Sequence, residues 1–412
     1  MPRVNAVWAA KGLGNGYSFG NDLYQIWLST REWFARGSSP YSPQVTEQIQ
    51  LGLYGRTLDP RRLSDPIDRR TFPYPIFVDL LFWPAASVSF VTLRVVFVCV
   101  LAGITLVSIL WWARTLGWGL EKKLLATTAL LTLSSYAVLE GLYADQLGLI
   151  VAFVLAASMH ALKQGRFLFA GFLMALTTVK PQVTVLLILY LLFWSFHALH
   201  LRKSFVIGFF STMTLLVGAP LLVQSHWIQE WTRTAIAYHR YTPPPLLALV
   251  LSSQVPPSIS PYVNTALTLL IVAGALMFCW KTRTTGTEDD QFWIAISILL
   301  ALTTIVMLPG QAVYDHVILL PGILLLFKYR HALYRAGRAT VILQSVGIVV
   351  LFWPWALATV FLLLHPILPQ GLLDSSAFLS LPIRTAASLP FAVLALLVWT
   401  WRIRPRDQKA VS

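Results

Sequence analysis

Hydrophobic positions in this chain come in long runs rather than in alternation. Stretches with few or no charges cover roughly 94–113, 123–139, 145–162, 183–199, 204–223, 262–280, 291–308, 339–364 and 385–401. Each approaches the ~20 residues that an α-helix needs to cross a ~30 Å hydrocarbon core. Two shorter runs, 166–179 and 316–327, complete the alternation of loops. The pattern predicts an all-α polytopic bundle of about eleven spans. The stretch from Pro75 to Phe90 is also apolar, but it carries Asp79 and Pro84 and is too short and broken to span. It reads as a helix lying along, or dipping into, one leaflet. Upstream, Asn21 to Arg36 reads as an amphipathic surface helix. Leu23, Ile26, Trp27, Thr30, Trp33 and Phe34 form one stripe, and Gln25, Ser29, Glu32 and Arg36 the other. Asn21 or Asp22 can cap its start, and Gly37-Ser38-Ser39-Pro40 ends it.

Composition narrows the class. Of 412 residues 57% are hydrophobic and 12% charged, against about 25% charged in soluble domains. That excludes a water-soluble surface and, more firmly, intrinsic disorder. The net charge of +14 does not indicate a nucleic-acid partner, because the basic residues cluster at the ends of apolar runs. One set of loops holds Arg114, Lys122 and Lys123, then Lys163 and Arg166, Arg202 and Lys203, Lys281 and Arg283, and Lys328, Arg330, Arg335 and Arg338. The tail adds Arg402, Arg404, Arg406 and Lys409. The alternate loops hold only Lys180, Arg233, Arg240 and Arg384. The positive-inside rule makes the first set cytoplasmic. It places 140–145, 180–182, 224–261 and 309–315 outside, and with them everything before Arg94. The chain then divides into an extracytoplasmic juxtamembrane segment (1–93), a transmembrane bundle (94–402) and a basic cytoplasmic tail (403–412). Sixteen Trp, many near the ends of the runs, fit an interfacial belt. Cys99 and Cys279 lie in apolar runs and indicate neither a disulfide nor a zinc site. The first twenty residues lack the apolar core of a signal peptide.

Ionisable residues at membrane depth are expensive and often functional. On the outer side they are Asp22, Asp79, Glu140, Asp145 and Asp315. Asp22 reads either as a helix cap or as a base at the leaflet surface. Asp79 faces a wet groove or pairs with Arg94, and Glu140 and Asp145 read as solvated turn residues. Lys180, in Val-Lys-Pro-Gln-Val, opens a predicted helix at its positive pole. It is a snorkelling lysine or, with the free amides of the first turn, an anion site. Asp315-His316 follows Pro309-Gly310-Gln311 at the outer end of a span. The 224–261 loop combines Trp227, Trp231, Tyr238, His239, Arg240 and Tyr241 before Pro243-Pro244-Pro245, which suits a lipid-phosphate or sugar site or an interfacial anchor. No Gly-rich phosphate loop, HExxH, CxxC or G-x-S-x-G motif is present, so neither a cofactor nor a metal site is expected. Inverted repeats of the kind that build secondary transporters are not discernible.

The order of the motifs is similar to that of a known family. An acid opens a helix in Asn21-Asp22-Leu23-Tyr24, followed by Arg-Gly-Ser-Ser-Pro-Tyr (36–41) and Phe72-Pro73-Tyr74-Pro75. Then come Gln146-Leu147-Gly148, Ala170-Gly171-Phe172, Lys180-Pro181-Gln182 and Pro309 through His316. From about residue 15 to 330 this resembles the family-87 glycosyltransferases of the GT-C superfamily. Members normally carry a transmembrane helix ahead of the aspartate, for which residues 1–20 offer no apolar run. The resemblance implies a transmembrane bundle in a bacterial cell membrane, with its active site on the extracytoplasmic side. It implies inverting transfer of a sugar, mannose by preference, from a polyprenyl-phosphate donor to a lipid or glycan hydroxyl. The family's catalytic aspartate maps onto Asp22 and its Lys-Pro-Gln lysine onto Lys180. Lys180, Arg240 and His239 are the candidates for the donor phosphate; Tyr24, Tyr74, Gln146, Gln182, Asp315 and His316 are those for the substrates. A non-catalytic flippase or exporter of a lipid-linked sugar is the rival, and it has no use for Asp22.

Overall fold

In lipid a backbone must satisfy its own hydrogen bonds, so apolar runs of this length fold as helices. The computed structural model describes residues 21–403 apart from 60, 64, 67, 119–120, 311, 374–380 and 382–384. The first twenty residues, Gln311, Arg384 and the basic tail beyond 403 therefore lie outside the described residues. The helices are α1 (Asn21–Arg36), α2 (Pro43–Tyr54), α3 (Phe77–Leu81), α4 (Phe90–Thr115), α5 (Lys122–Leu133), α6 (Tyr136–Ala144), α7 (Leu147–Lys163), α8 (Phe167–Leu176), α9 (Val185–His197) and α10 (Leu199–Leu221). They continue with α11 (Trp227–Tyr241), α12 (Leu246–Gln254), α13 (Ser260–Thr282), α14 (Asp290–Val306), α15 (Leu320–Lys328), α16 (Arg330–Arg335), α17 (Arg338–Leu364), α18 (Gln370–Leu373) and α19 (Leu389–Ile403). Among the described residues there is no strand, only one isolated bridge between Pro245 and Pro309. The all-α polytopic membrane fold is as the hydrophobic runs indicate.

The spans are less uniform than the runs. α4, α10, α13 and α17 are long and apolar enough to cross a membrane, and α5 with α6 makes a fifth if the pair, bent by 56°, is one span. Ser135 causes that bend: its extended backbone ends one helix while its side chain accepts from Val138 N–H to start the next. α7, α9, α14 and α19 are apolar but shorter, and α8 reaches Val179 only by continuing as a 3₁₀ turn. Against the roughly eleven spans expected, two of them short, four or five helices among the described residues meet the length criterion. The reason is that several runs are interrupted at one end by tight turns, at 177–184 and 307–319, where polar side chains gather.

The two loop sets lie at opposite ends. Lys163 pairs with Glu288 at 2.8 Å, and Lys328 bonds Asp290 and the Leu116 carbonyl, both at 2.8 Å. These contacts bring the end of α4, the end of α7, the start of α14 and the end of α15 together at the basic end. The start of α7, the break between α8 and α9 and the end of α14 are at the other. Buried apolar side chains from Leu23 to Leu397 form one continuous core.

α1 is not the surface helix its pattern suggests. Gln25, Ser29 and Glu32, from its polar stripe, are buried along with Leu23, Ile26 and Trp33. For Ser29 the cause is Asp79 on α3, whose Oδ1 accepts from Ser29 Oγ at 2.8 Å and Thr30 Oγ1 at 2.9 Å. Asp79 thus pairs with α1 hydroxyls, and burial pushes its carboxyl well above the usual range. Trp27 Nε1 donates to the Val88 carbonyl at 2.8 Å, fixing α1 against the short 3₁₀-helix Trp83–Ser87.

Candidate active site

The interruptions at the non-basic end frame a cleft of about 240 Å³ that is open to solvent. Its walls come from the first two turns of α1, the strap 68–75, the start of α7, the α8–α9 break, α11 and the segment 307–315. The strap is held from both sides: Gln50 Nε2 donates to the Arg69 carbonyl at 2.8 Å and Trp231 Nε1 to the Pro73 carbonyl at 3.1 Å. Tyr41 OH donates to the Tyr74 carbonyl at 2.8 Å.

A polar chain crosses the cleft. Arg70 Nη1 bonds Asp22 Oδ1 at 3.0 Å, and Asp22 Oδ2 accepts from Gln146 Nε2. Gln146 Oε1 accepts from Lys180 Nζ at 3.3 Å, and Lys180 Nζ donates to Asp315 Oδ1 at 2.7 Å. Five residues from five separate segments are thus linked in sequence. Lys180 also lies 4.6 Å from the centre of the Tyr314 ring, a cation–π distance. The approach of Asp315 to α7 depends on Gly148, where a Cβ would overlap Asp315 Oδ1. Burial pushes the Asp22 carboxyl up, and the charges of Arg70 and Lys180 pull it back. For Arg70 burial acts against the charge, but Asp68, Tyr54 and Asp22 outweigh it and raise its affinity for the proton.

Lys180 does not open a long helix. It sits between two three-residue 3₁₀ turns, Thr177–Val179 and Pro181–Val183, and α9 starts only at Val185. No run of free amides accompanies it, and its ammonium is already ion-paired. The lining holds three carboxylates, Asp22, Asp68 and Asp315, against Arg70 and Lys180, with His239 on the α11 side.

Of the residues expected at the site, Asp22, Tyr74, Gln146, Lys180, Gln182, His239 and Asp315 line this cleft. Tyr24, Arg240 and His316 do not. The Tyr24 ring packs edge-on against Phe90, 4.9 Å between centres, on the core side of α1. Arg240 is exposed on α11, outside the lining. His316 lies on the opposite face of the 3₁₀-helix Val313–Leu319, which turns Tyr314 and Asp315 into the polar cleft. Val313, His316 and Val317 instead face an apolar groove with Tyr136, Leu324 and Trp355. Glu140 and Asp145 are not solvated. Glu140 accepts a hydrogen bond from the Tyr314 backbone N–H. Asp145 is 1% exposed in the left-handed region (φ 54°), with neither carboxylate oxygen hydrogen-bonded.

Arg70, Asp68 and Tyr314 line the cleft although no motif singled them out. The clue to Arg70 was its position in Asp68-Arg69-Arg70, separated by one residue from Phe72-Pro73-Tyr74-Pro75, a basic pair in a segment with no apolar run to anchor. Among the described residues no group of three or more His, Cys, Asp or Glu could hold a metal ion.

The sequence profile of glycosyltransferase family 87 matches residues 72–309, more than half of the chain. The matched stretch contains Tyr74, Gln146, Lys180 and Gln182; Asp22, Arg70 and Asp315 lie outside it. No curated protein and no solved structure matches the chain.

Proposed function

The chain belongs to glycosyltransferase family 87, and on that premise we propose that it transfers a sugar, mannose by preference, from a polyprenyl-phosphate donor to a lipid or glycan hydroxyl. The reading places the cleft at the extracytoplasmic face of a bacterial cell membrane, because the opposite end carries the basic loops. Membership makes the chain a transferase, and the carrier alternative gives way to it. The observation that carries the finer reading is Asp22 in one cleft with two cations, beside an apolar groove. A carboxylate can take the proton of an attacking hydroxyl, the cations suit a phosphate, and the groove behind Val313–Leu319 suits an isoprenoid chain.

In this reading the acceptor oxygen bonds to C1 of the sugar as the C1–O bond to phosphate breaks. The bonding pair leaves on the phosphate oxygen, the acceptor proton passes to Asp22, and C1 inverts. A polyprenyl phosphate is already a good leaving group, so it needs cationic stabilisation more than a proton. Lys180 and His239 supply polar groups on the phosphate side, with Arg240 at the approach. Tyr74, Gln146, Gln182 and Asp315 contact the sugar or acceptor. The 1–93 segment supplies the base, and the bundle the groove.

The test is purified protein with radiolabelled polyprenyl-phosphate-mannose and a panel of lipid acceptors. Asp22→Asn keeps the size of the side chain and removes the base, so transfer falls by about 10²–10⁴-fold while the protein remains folded. Near-normal turnover in that variant would remove Asp22 from the mechanism.

A further inference from the structure

With its cations paired, the cleft is a poor anion site as it stands. Arg70 is neutralised by Asp22 at 3.0 Å and Asp68 at 3.4 Å, and Lys180 by Asp315 at 2.7 Å. With three carboxylates against two fixed cations, a phosphate enters only by taking a cation from its carboxylate. The two pairs are not equally able to give way. Asp315 is 1% exposed and held by Lys180 with Gly148 pressed against it, whereas the Asp22 side chain retains 19% of its exposure.

Arg70 is also set apart by its backbone. It is one of two non-glycine residues with positive φ among the described residues, at 53°, and such sparsely populated conformations persist only where the surroundings impose them. Here the strap imposes it, with Nε bonded to Tyr54 OH at 3.2 Å and Nη1 to Asp22. Nη2 makes no hydrogen bond to any described residue, although the side chain lines the cleft. A guanidinium held by Nε, with one terminal nitrogen unused and the other on a displaceable carboxylate, presents the fork geometry that binds phosphate oxygens in pairs.

We infer that the Asp22–Arg70 ion pair is a lock on the base, opened when a phosphate group takes the Arg70 guanidinium. The inference rests on the lipid-phosphate donor proposed above. While the pair is closed, Arg70 occupies Asp22 Oδ1 and lowers its affinity for a proton. When phosphate draws Arg70 away, Gln146 still orients Asp22 through Oδ2 and Oδ1 is free to accept the acceptor's proton. Donor arrival thus arms the base, and an acceptor or water that enters first meets a carboxylate already engaged. Arg70 is a binding residue for the phosphate and a positioning residue for Asp22.

Binding of radiolabelled polyprenyl phosphate to the purified full chain tests this without turnover. The lock makes Asp22 a competitor for Arg70, so Asp22→Asn tightens binding, roughly two- to fivefold, the scale of a partly exposed ion pair. Arg70→Met weakens it roughly 10- to 100-fold, the scale of a charged hydrogen bond. The double variant binds like Arg70→Met alone, because without Arg70 there is nothing to compete for. Arg70→Lys, which keeps the charge if the Met variant folds poorly, retains part of the response to Asp22→Asn. Inorganic phosphate competes with the lipid, more effectively in Asp22→Asn. An Asp22→Asn variant that binds no tighter, or that tightens equally without Arg70, overturns the lock while the donor reading stands. A wild-type protein that binds no polyprenyl phosphate overturns both.

Discussion

Lys180 and Asp315 are 5% and 1% exposed, so neither can be changed without leaving the other's charge buried. Lys180→Met strips Asp315 of the cation it is paired with, with its Oδ2 already lacking a partner. Breaking a buried pair from one side costs about 3–5 kcal/mol, so this variant loses thermal stability in detergent. Lys180→Met with Asp315→Asn restores most of it, because no charge is then stranded. If Lys180 serves the donor phosphate, the restored double variant still binds polyprenyl phosphate more weakly than wild type; wild-type affinity there would leave Lys180 a purely structural partner of Asp315. Asp145 offers a test by pH. Burial pushes its carboxyl up to about 7, with Arg94 opposing and Asp22 adding to the rise. A raised folded-state value means that the neutral acid suits the fold. Its contribution is full below about pH 4, where the unfolded group is also protonated, and is lost as pH climbs through about 7. Asp145→Asn mimics the neutral acid, so melting curves should show it gaining on wild type at pH 8 and losing that advantage at pH 5. An advantage independent of pH would mean that Asp145 does not titrate there. Nothing in Glu-Gly-Leu-Tyr-Ala-Asp distinguishes a buried acid from a solvated turn; the difference lies in the residues that fold over it.

At the level of elements, the close packing of α8 on α10 depends on two glycines. A Cβ on Gly171 of α8 would overlap the Phe205 carbonyl of α10, and one on Gly208 of α10 the Leu168 carbonyl of α8. Without a hydrophobic drive between helices in lipid, such close backbone approach is a main source of their association. Gly171→Val should force the pair apart and cost about 1–3 kcal/mol or more, read as a lower melting temperature. Gly103→Ala on α4, with nothing within 4 Å of the new carbon, should leave the melting temperature unchanged; an equal loss in both would show that the crossing is not the sensitive point. The helices themselves were legible because an apolar run in lipid has one backbone solution. What was not legible is how they end. Lys180-Pro181-Gln182 reads as a helix start, since proline suits a first turn, yet Lys180 adopts φ −137° and ψ 73° between two 3₁₀ turns. α1 likewise looked half-wet because the Ser29 hydroxyl was counted as solvent-facing. Its partner, Asp79, lies 50 residues away, beyond the reach of any periodicity argument.

For the whole molecule the distribution of charge is the most informative feature. The basic loops gather at one end, where Lys163 and Lys328 find Glu288 and Asp290, and the cleft opens at the other. This division was readable because positive charge in short loops alternates with the helices, one crossing at a time. The cleft's membership was readable only in part: Asp22, Lys180 and Asp315 stand out as rare charges near apolar runs. Arg70 is one of many Arg in a segment too long for its charge to signify orientation. Geometry fixes that the cleft and the basic loops are at opposite ends; the proposal that the basic end is cytoplasmic rests on the positive-inside rule. Two exposed positions, Gln254 at the end of α12 and Ala336 after α16, test the sides directly. With Cys99 and Cys279 replaced, Gln254→Cys should react with an impermeant thiol reagent in intact cells, and Ala336→Cys only after the membrane is opened. The reverse pattern would turn the cleft toward the cytoplasm and overturn its assignment to the extracytoplasmic face. The test bears on chemistry as well as topology, because a cleft on the outer face has no ready access to cytoplasmic nucleotide sugars. In the proposed orientation a sugar reaches it on a carrier that crosses the membrane, and the proposed lipid-linked phosphate sugar suits both the cations of the cleft and the apolar groove beside it.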